Sequence, residues 1–266
     1  MRQRLITGIV AGAVFLGFCL LGGLPYHLLV LAMALIGYFE FIRMIKVSPF
    51  GAAAIIGYAG VLMFMFPWKL TGIALPFSWE QGIWLLLLVL LIITVTSKNS
   101  FSVNQAALLF LGAVYVGVGF FYLTASRQSE DGNGVFWTFL LLASIWASDA
   151  GAYFVGRKLG KNKLWPAISP NKTIEGAVGG IVLAIVTAVC FSLLSGGILS
   201  IGRAIVIGLS CAVVGQFGDL IQSAYKRKYE IKDSGTLLPG HGGILDRCDS
   251  WIIVFPFVHI LQLMPY

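Results

Sequence analysis

The sequence predicts an all-α polytopic integral membrane protein with about nine transmembrane helices and a cytoplasmic N-terminus. Hydrophobic residues make up 58% of the 266 residues, and the mean hydropathy is +0.91. Several apolar runs approach or exceed the roughly 20 residues that a helix needs to cross a bilayer. A soluble helical core is excluded, because 11% charged residues leave too little polar surface to solvate so many apolar helices.

Nine apolar segments account for the predicted spans. In chain order they cover residues 5–22, 26–45, 51–67, 81–97, 104–125, 134–156, 174–196, 199–223 and 243–264. The first segment follows Arg2 and Arg4 in the manner of a signal peptide. No small-residue cleavage motif follows at a suitable distance, so we expect a retained first helix.

The distribution of Lys and Arg predicts the orientation of these spans. Of the 18 such residues, 14 fall on the side shared by the N-terminus and the even-numbered loops, 3 fall on the other side, and Arg247 lies inside the last span. Cytoplasmic loops carry the excess of Lys and Arg, so this side is expected to be cytoplasmic. The net charge of +7 then favours anionic lipid head groups and nucleotide phosphates as partners, and nucleic acid is not expected.

Two regions are expected along the chain. Residues 1–130 would form about five transmembrane helices that serve packing and oligomerisation, including a homodimer. Residues 131–266 would form the catalytic helices, with cytoplasmic loops at 157–173 and 224–242.

Within the first region, Glu40 is interpreted as a surface ion pair with Arg43, three residues further along the helix. The glycines of the first span, Gly8, Gly12 and Gly17, are expected to allow close helix packing.

Acidic residues inside the predicted spans mark candidate sites, because a carboxylate in lipid is costly. These residues are Asp149, Asp219, Asp246 and Asp249. Asp246 and Asp249 would point to one side of a helix, because they are three residues apart. Two or three such carboxylates suit Mg²⁺, which takes a few carboxylates together with water and substrate phosphates. We therefore expect Asp219, Asp246 and Asp249 to bind metal; ion pairing between helices, with Arg247 or Lys172, is the alternative.

The basic loop Gly156–Glu175 contains a second candidate site. It approaches a P-loop, but its glycine spacing is one residue short and Asn162 stands where Ser or Thr would bind Mg²⁺. Lys172 precedes a predicted helix N-terminus, whose amides and dipole favour phosphate. For the other cations of this loop, the positive-inside bias alone is an equal explanation.

A glycine-rich turn precedes the last span. Gly240, Gly242 and Gly243 permit backbone conformations and a close approach of phosphate that side chains would block. His241 could donate a hydrogen bond to that phosphate, and an inert histidine in a glycine turn is the alternative.

The segment Ser223–Asp249 carries these features in a fixed order. It contains Ser223-x-x-Lys226-Arg227, Lys232-Asp233-x-Gly235, Leu238-Pro239-Gly240-His241-Gly242-Gly243 and Asp246-Arg247-x-Asp249. This order closely resembles the signature of the phosphatidate cytidylyltransferases, also called CDP-diacylglycerol synthases. Asp149–Tyr153, Gly156-Arg157 and Ile168–Gly176 also resemble that family, so the resemblance covers roughly residues 140–255.

The resemblance implies a membrane enzyme of phospholipid biosynthesis. It would transfer CMP from CTP to phosphatidate with one or two Mg²⁺ ions, giving CDP-diacylglycerol and pyrophosphate at the cytoplasmic face of the inner membrane. The implied catalytic residues are Asp246, Lys226, Arg227, His241 and Arg247, and the implied substrate-binding residues are Lys172, Ser223, Lys232, Gly240, Gly242 and Gly243. Lys172 is expected to bind either the lipid phosphate or CTP.

Other functions fit the sequence less well. A CDP-alcohol transferase needs a DG-x-x-AR motif followed by spaced aspartates, which is absent, and a prenyltransferase favours two Asp-rich motifs. A lipid or polyprenol kinase is closer, but it would release a nucleoside diphosphate instead of pyrophosphate. A transporter with buried aspartates as ion sites does not explain a cationic, glycine-rich loop.

Overall fold

The computed structural model describes residues 2–265, except for the side chains of Arg2, Arg4, Leu5 and Lys69. Arg2 and Arg4, which contribute to the predicted orientation, therefore have side chains outside the described part. The helices are α1 (Arg2–Leu21), α2 (Gly23–Met44), α3 (Ala52–Met65), α4 (Trp68–Thr71), α5 (Trp79–Thr96), α6 (Val103–Arg127), α7 (Gly134–Leu159), α8 (Ile174–Leu194), α9 (Ile201–Lys228) and α10 (Leu245–Ile260). Two short strands, β1 (Lys163–Trp165) and β2 (Ser169–Thr173), form an antiparallel hairpin between α7 and α8.

The long helices make this a multi-pass membrane protein. Within residues 2–265, six helices are long and apolar enough to cross a bilayer, namely α2, α5, α6, α7, α8 and α9. Shorter apolar helices occur at Ile6–Leu21 and Ala52–Met65. Each of the nine segments predicted from the sequence coincides with a helix in the described chain, and the short helix α4 and the β-hairpin lie between them.

Polar side chains fix where several helices begin. Ser78 accepts a hydrogen bond from the Gln81 amide while the Gln81 side chain accepts one from the Ser78 amide, which is a capping box at the start of α5. Ser200 and Thr173 cap α9 and α8 by accepting bonds from amides three residues later. These oxygens satisfy amides that have no intrahelical partner.

The chain forms two compact units. One unit comprises the chain up to Thr124 together with Ile231–Arg247, and the other comprises Ala125–Glu230 together with the chain from Cys248. The boundary falls near the predicted division at residue 130. However, the segment Ile231–Arg247 groups with the amino-terminal helices, whereas the predicted division places it in the second region.

In the first unit, aromatic side chains pack against glycines on neighbouring helices. The Tyr38 ring on α2 occupies the space beside Gly57 on α3, and its hydroxyl donates to the Leu109 carbonyl on α6 at 3.1 Å. Phe41 fills the space beside Gly112 in the same way. The first unit therefore has α2 at the centre of a packed core.

In the second unit, helices approach backbone to backbone. A Cβ on Gly151 of α7 would lie 2.7 Å from the Gly179 carbonyl oxygen of α8, and one on Gly208 of α9 would lie 2.7 Å from the Ile185 Cα. By contrast, Gly12 and Gly17 have nothing described within 4 Å, so the packing predicted for these two glycines is wrong. The backbone-to-backbone approaches at Gly151 and Gly208 lie in the second half of the chain, whereas the glycines of the first half make room for side chains.

Candidate active site

The C-terminal end of α9, which the sequence predicts to be cytoplasmic, carries a row of polar residues. Asp219 lies one turn before Ser223, whose hydroxyl donates to Asp219 Oδ1 at 3.3 Å. Lys172, from β2, places its Nζ 2.5 Å from Asp219 Oδ2. The Lys172 and Asp219 side chains are 25% and 37% exposed, so this ion pair stays accessible to a ligand.

Asp249 of α10 belongs to the same unit as Asp219. The Asp249 carboxylate is repelled by the negative charges of Asp219 and Asp149 and attracted by Lys226. Its Oδ1 accepts the Ser250 amide at 2.7 Å, and the Ser250 hydroxyl donates to the Gly215 carbonyl on α9 at 3.0 Å. This unit therefore contains mutually repelling carboxylates within apolar helices, an arrangement that a bound cation would stabilise.

The carboxylates of Asp219 and Asp249 have the chemistry of a magnesium site, although protein side chains alone do not complete the coordination shell. Among residues 2–265, no group of three or more His, Cys, Asp or Glu side chains is arranged to hold a metal ion. Mg²⁺ is usually bound through one or two carboxylates, with water and substrate phosphates completing the shell. Asp219 and Asp249 supply such oxygens, and the Lys172 ammonium already places one positive charge against Asp219.

Asp246, the other aspartate at the start of α10, is buried in the first unit. Its Oδ2 accepts the Ser234 amide at 2.7 Å, the Ser234 hydroxyl at 3.0 Å and the Gly243 amide at 3.0 Å. Asp246 thus closes the loop that runs from Ser234 to Gly243. Its position in the sequence places it one turn before Asp249 on α10.

The predicted glycine-rich turn is a tight turn. The Leu238 amide donates to the Gly242 carbonyl at 3.0 Å, and the His241 amide donates to the Leu238 carbonyl at 2.8 Å. Gly240 and Gly242 have φ values of 78° and 86°, which side chains rarely adopt. The conformational freedom predicted for these two glycines is therefore confirmed.

His241 in this turn keeps an unsatisfied polar atom. Its buried Nδ1 has no hydrogen-bond partner within the described chain. Its Nε2 would lie 3.1 Å from a Cβ on Gly8 of α1, so the small residue at position 8 accommodates the imidazole ring. An unpaired buried nitrogen costs free energy until a ligand or water satisfies it.

Glu40 differs from its predicted role. Its side chain is only 4% exposed, and its carboxylate accepts bonds from the Ile244 amide, the Leu245 amide and the Ser234 hydroxyl, each at 3.0 Å. The exposed Arg43 instead places its guanidinium over the Phe39 ring at 5.8 Å. The predicted surface ion pair between Glu40 and Arg43 is therefore wrong.

The β-hairpin carries the basic loop of the second unit. Arg227 Nε donates to the Ile168 carbonyl at 3.2 Å, which joins the end of α9 to the hairpin turn. Glu175, in the first turn of α8, accepts the Lys161 amide at 3.1 Å and the Asn162 side-chain amide at 2.8 Å. Thr173 caps α8 by accepting the Gly176 amide at 3.1 Å. The hairpin thereby presents Lys172 from a fixed strand.

We expect Glu175→Ala to loosen this hairpin. The substitution removes the acceptor for the Lys161 amide and the Asn162 side chain, so the segment should open several-fold more often. Limited digestion with trypsin should then cut faster at Lys161 and Lys163, which are exposed. Glu130→Ala, at an exposed carboxylate elsewhere in the same unit, is the matched control; equal cutting of both variants would contradict this role for Glu175.

The remaining predicted residues lie in two places. Lys232 and Arg247 are exposed in the first unit, and Lys226 lies in the last turn of α9 in the second. The backbone at Gly243 does not have a positive φ, so its conformation does not require glycine. Glycine is needed there because a Cβ would overlap the Glu40 carboxylate. All of the predicted site residues thus fall within the ends of α9 and α10, the loop between them, and β2.

Sequence reasoning missed three residues near this site. Glu40 and Ser234 share hydrogen bonds with the start of α10, and Gln222 on α9 is fully buried with both side-chain polar atoms unpaired among the described residues. Gln222 has a detectable sequence signal, since an amide side chain one turn after Asp219 in an apolar span is costly. Ser234 has no comparable signal in a polar loop.

Comparisons with known proteins extend the resemblance to nearly the whole chain. The sequence model of the cytidylyltransferase family matches residues 2–264. The protein named phosphatidate cytidylyltransferase from Bacillus subtilis (strain 168) is 42% identical over 266 residues, covering 98% of this chain and 97% of the relative. Proteins of the same name from Staphylococcus saprophyticus and Staphylococcus haemolyticus are 39% and 37% identical over 268 residues, covering 99% of each chain. With its signature and its full length both matched, the chain belongs to the cytidylyltransferase family.

Proposed function

We propose that this protein is a CTP:phosphatidate cytidylyltransferase of phospholipid biosynthesis. It transfers CMP from CTP to phosphatidate and releases pyrophosphate, giving CDP-diacylglycerol. The observation that carries the proposal is the accessible ion pair between Lys172 on β2 and Asp219 on the membrane-spanning helix α9, in the same unit as Asp249. Such a site offers a positive charge to the phosphate groups of the two substrates and a negative charge to the cation that accompanies them. The names of the full-length relatives supply the substrate.

The reaction requires positioning more than proton transfer. The phosphate of phosphatidate is anionic at neutral pH, so an oxygen of it can attack the α-phosphorus of CTP without a strong general base. One phosphorus–oxygen bond forms, and the bond between the α- and β-phosphates breaks as pyrophosphate leaves. The main barrier is the repulsion between two polyanions, which fixed cations reduce.

The cationic residues of the site have distinct places in this reaction. Lys226, Arg227, Lys232, His241 and Arg247 are proposed to bind the triphosphate and stabilise the charge that develops on pyrophosphate. Gly240, Gly242 and Gly243 allow the backbone to approach it, and Ser223 orients Asp219 through its hydroxyl. Lys172 binds a substrate phosphate on either CTP or the lipid.

A magnesium ion fits the same residues. Asp219, Asp246 and Asp249 are the proposed ligands, because each is an oxygen donor and Asp219 and Asp249 repel one another without a cation. When bound, Mg²⁺ would neutralise the CTP phosphates and help to align the attack on the α-phosphorus.

The proposed topology has nine spans, with the N-terminus and the active site at the cytoplasmic face of the inner membrane. The excess of Lys and Arg on that side supports this orientation. This topology requires that α1, α3 and α10 cross the membrane in addition to the six longer helices. Acyl chains of phosphatidate would then enter from the bilayer, while CTP would enter from the cytoplasm.

The proposed function is tested with the purified protein, phosphatidate, CTP and Mg²⁺. We expect CDP-diacylglycerol and pyrophosphate in equal amounts, and neither product when phosphatidate or Mg²⁺ is omitted. A lipid kinase would instead release a nucleoside diphosphate, and a transporter would move a substrate across liposomes without consuming CTP. A folded protein that forms no CDP-diacylglycerol would overturn the proposal.

A further inference from the structure

Glu40 is a buried carboxylate near the C-terminal end of α2 that the proposed reaction does not use. Its Oε1 accepts the Ile244 amide at 3.0 Å, and its Oε2 accepts the Leu245 amide at 3.0 Å. These amides belong to the N-terminus of α10, where the first four N–H groups lack intrahelical partners. Glu40 therefore caps α10 from a position 205 residues away in the sequence.

The loop before α10 is fitted around the same carboxylate. A Cβ on either Gly235 or Gly243 would overlap the Glu40 side chain. Both glycines belong to the signature segment Ser223–Asp249, and both lie in the same compact unit as Glu40. The two ends of this loop thus pack directly against one side chain of α2.

Ser234 joins Glu40 to Asp246. The Ser234 hydroxyl oxygen lies 3.0 Å from Glu40 Oε2 and 3.0 Å from Asp246 Oδ2. A hydroxyl has one hydrogen, so it donates to one of these two oxygens at a time. Asp246 Oδ2 also accepts the amides of Ser234 and Gly243, whereas the Glu40 carboxylate holds the next two amides along the chain.

We propose that Glu40 is a positioning residue for the transfer reaction, acting through Ser234 and the α10 N-terminus on Asp246. By holding Ile244 and Leu245, it fixes the backbone immediately before Asp246. By sharing the Ser234 hydroxyl with Asp246 Oδ2, it ties the Asp246 carboxylate to the same fixed backbone. Both effects orient the Asp246 carboxylate as a ligand for Mg²⁺, so the inference rests on the proposed function.

Glu40→Gln is the principal test, because it keeps the shape of the side chain and replaces one acceptor oxygen with an N–H donor. That donor would face either the Ile244 amide or the Leu245 amide and Ser234. Hydrogen–deuterium exchange of the ligand-free protein should become at least about tenfold faster at residues 243–246. This readout does not depend on metal or on turnover.

Magnesium binding distinguishes positioning from simple stabilisation. In the absence of substrates, the Mg²⁺ concentration that half-maximally raises the melting temperature should increase about tenfold in Glu40→Gln. The Mg²⁺ concentration for half-maximal turnover should rise by a similar factor, while the KM for phosphatidate stays unchanged. Glu130→Gln, at an exposed carboxylate, is the matched control and should behave as wild type.

Ser234→Ala provides an independent arm, because it removes only the shared hydroxyl. We expect a smaller rise in the Mg²⁺ requirement, about threefold, and no further effect of this change in a Glu40→Gln background. If Glu40→Gln does not fold, the Ser234→Ala result decides. An unchanged Mg²⁺ requirement in either folded variant, with or without a lower melting temperature, would overturn the proposal. A wild-type protein that makes no CDP-diacylglycerol would instead refute the proposed function itself.

Discussion

Asp246→Asn is expected to abolish CTP turnover while leaving a protein that still inserts and folds. Asparagine has the size of aspartate, and its side-chain oxygen can continue to accept the amides of Ser234 and Gly243 and the Ser234 hydroxyl. What it removes is the negative charge. Loss of one metal ligand should cost several kcal/mol of transition-state stabilisation, which is a loss of at least about 100-fold in kcat.

The measurement compares purified wild-type and variant proteins in the same lipid, by CDP-diacylglycerol formation and by melting temperature. Glu230→Gln is the matched control, because it makes the same chemical change at an exposed carboxylate in the loop after α9. The control should keep wild-type activity. Near-normal turnover in Asp246→Asn would remove Asp246 from the metal site.

Much of this site could be predicted, because placing its charged side chains within a bilayer costs free energy. An aspartate in an apolar span is costly wherever it lies, so Asp219 and Asp249 are identifiable without knowledge of their partners. The turn that contains Gly240 and Gly242 was predictable for a similar reason, since glycine pairs in a polar loop indicate positive φ. In these cases the sequence alone contains the physical constraint.

Glu40 could not be interpreted in this way, because its partners are distant in the sequence. Arg43 lies three residues away and offers an obvious ion pair, whereas Ser234 and Leu245 are 194 and 205 residues away. The carboxylate also binds backbone amides, which every residue except proline carries and no sequence pattern reveals. The burial of Glu40 depends on tertiary packing that the helical periodicity of α2 does not encode.

The β-hairpin was missed for a different reason. Its strands contain Lys, Ser, Pro and Asn, which have low β-propensity, and each strand has five residues or fewer. Hydrogen bonds from Lys161 and Asn162 to Glu175 hold one end of the hairpin. Tertiary hydrogen bonds therefore supply what the local sequence lacks.

Gly218→Ala should have the second-largest effect, on both stability and turnover. A Cβ at this position of α9 would lie 2.6 Å from the Asp249 carbonyl oxygen and 2.9 Å from the Ser250 Cα. Both atoms belong to the backbone of α10, so no side-chain rotation relieves the overlap. Overpacking of this kind costs about 1–3 kcal/mol, and the melting temperature should fall by several degrees.

The same displacement should impair catalysis, because Gly218 adjoins Asp219 and its contact is the backbone of Asp249. Separating α9 from α10 would move one proposed metal ligand relative to another, and a shift of about 1 Å can cost about 100-fold in rate. We expect Gly218→Ala to lose at least about tenfold in kcat even at temperatures where it remains folded. Gly202→Ala is the matched control on the same helix, because a Cβ there meets no described atom within 4 Å. If Gly218→Ala retained full activity and stability, α9 and α10 would not need this close approach, and the alignment of Asp219 with Asp249 would have to depend on other contacts, such as the hydrogen bond from Ser250 to Gly215.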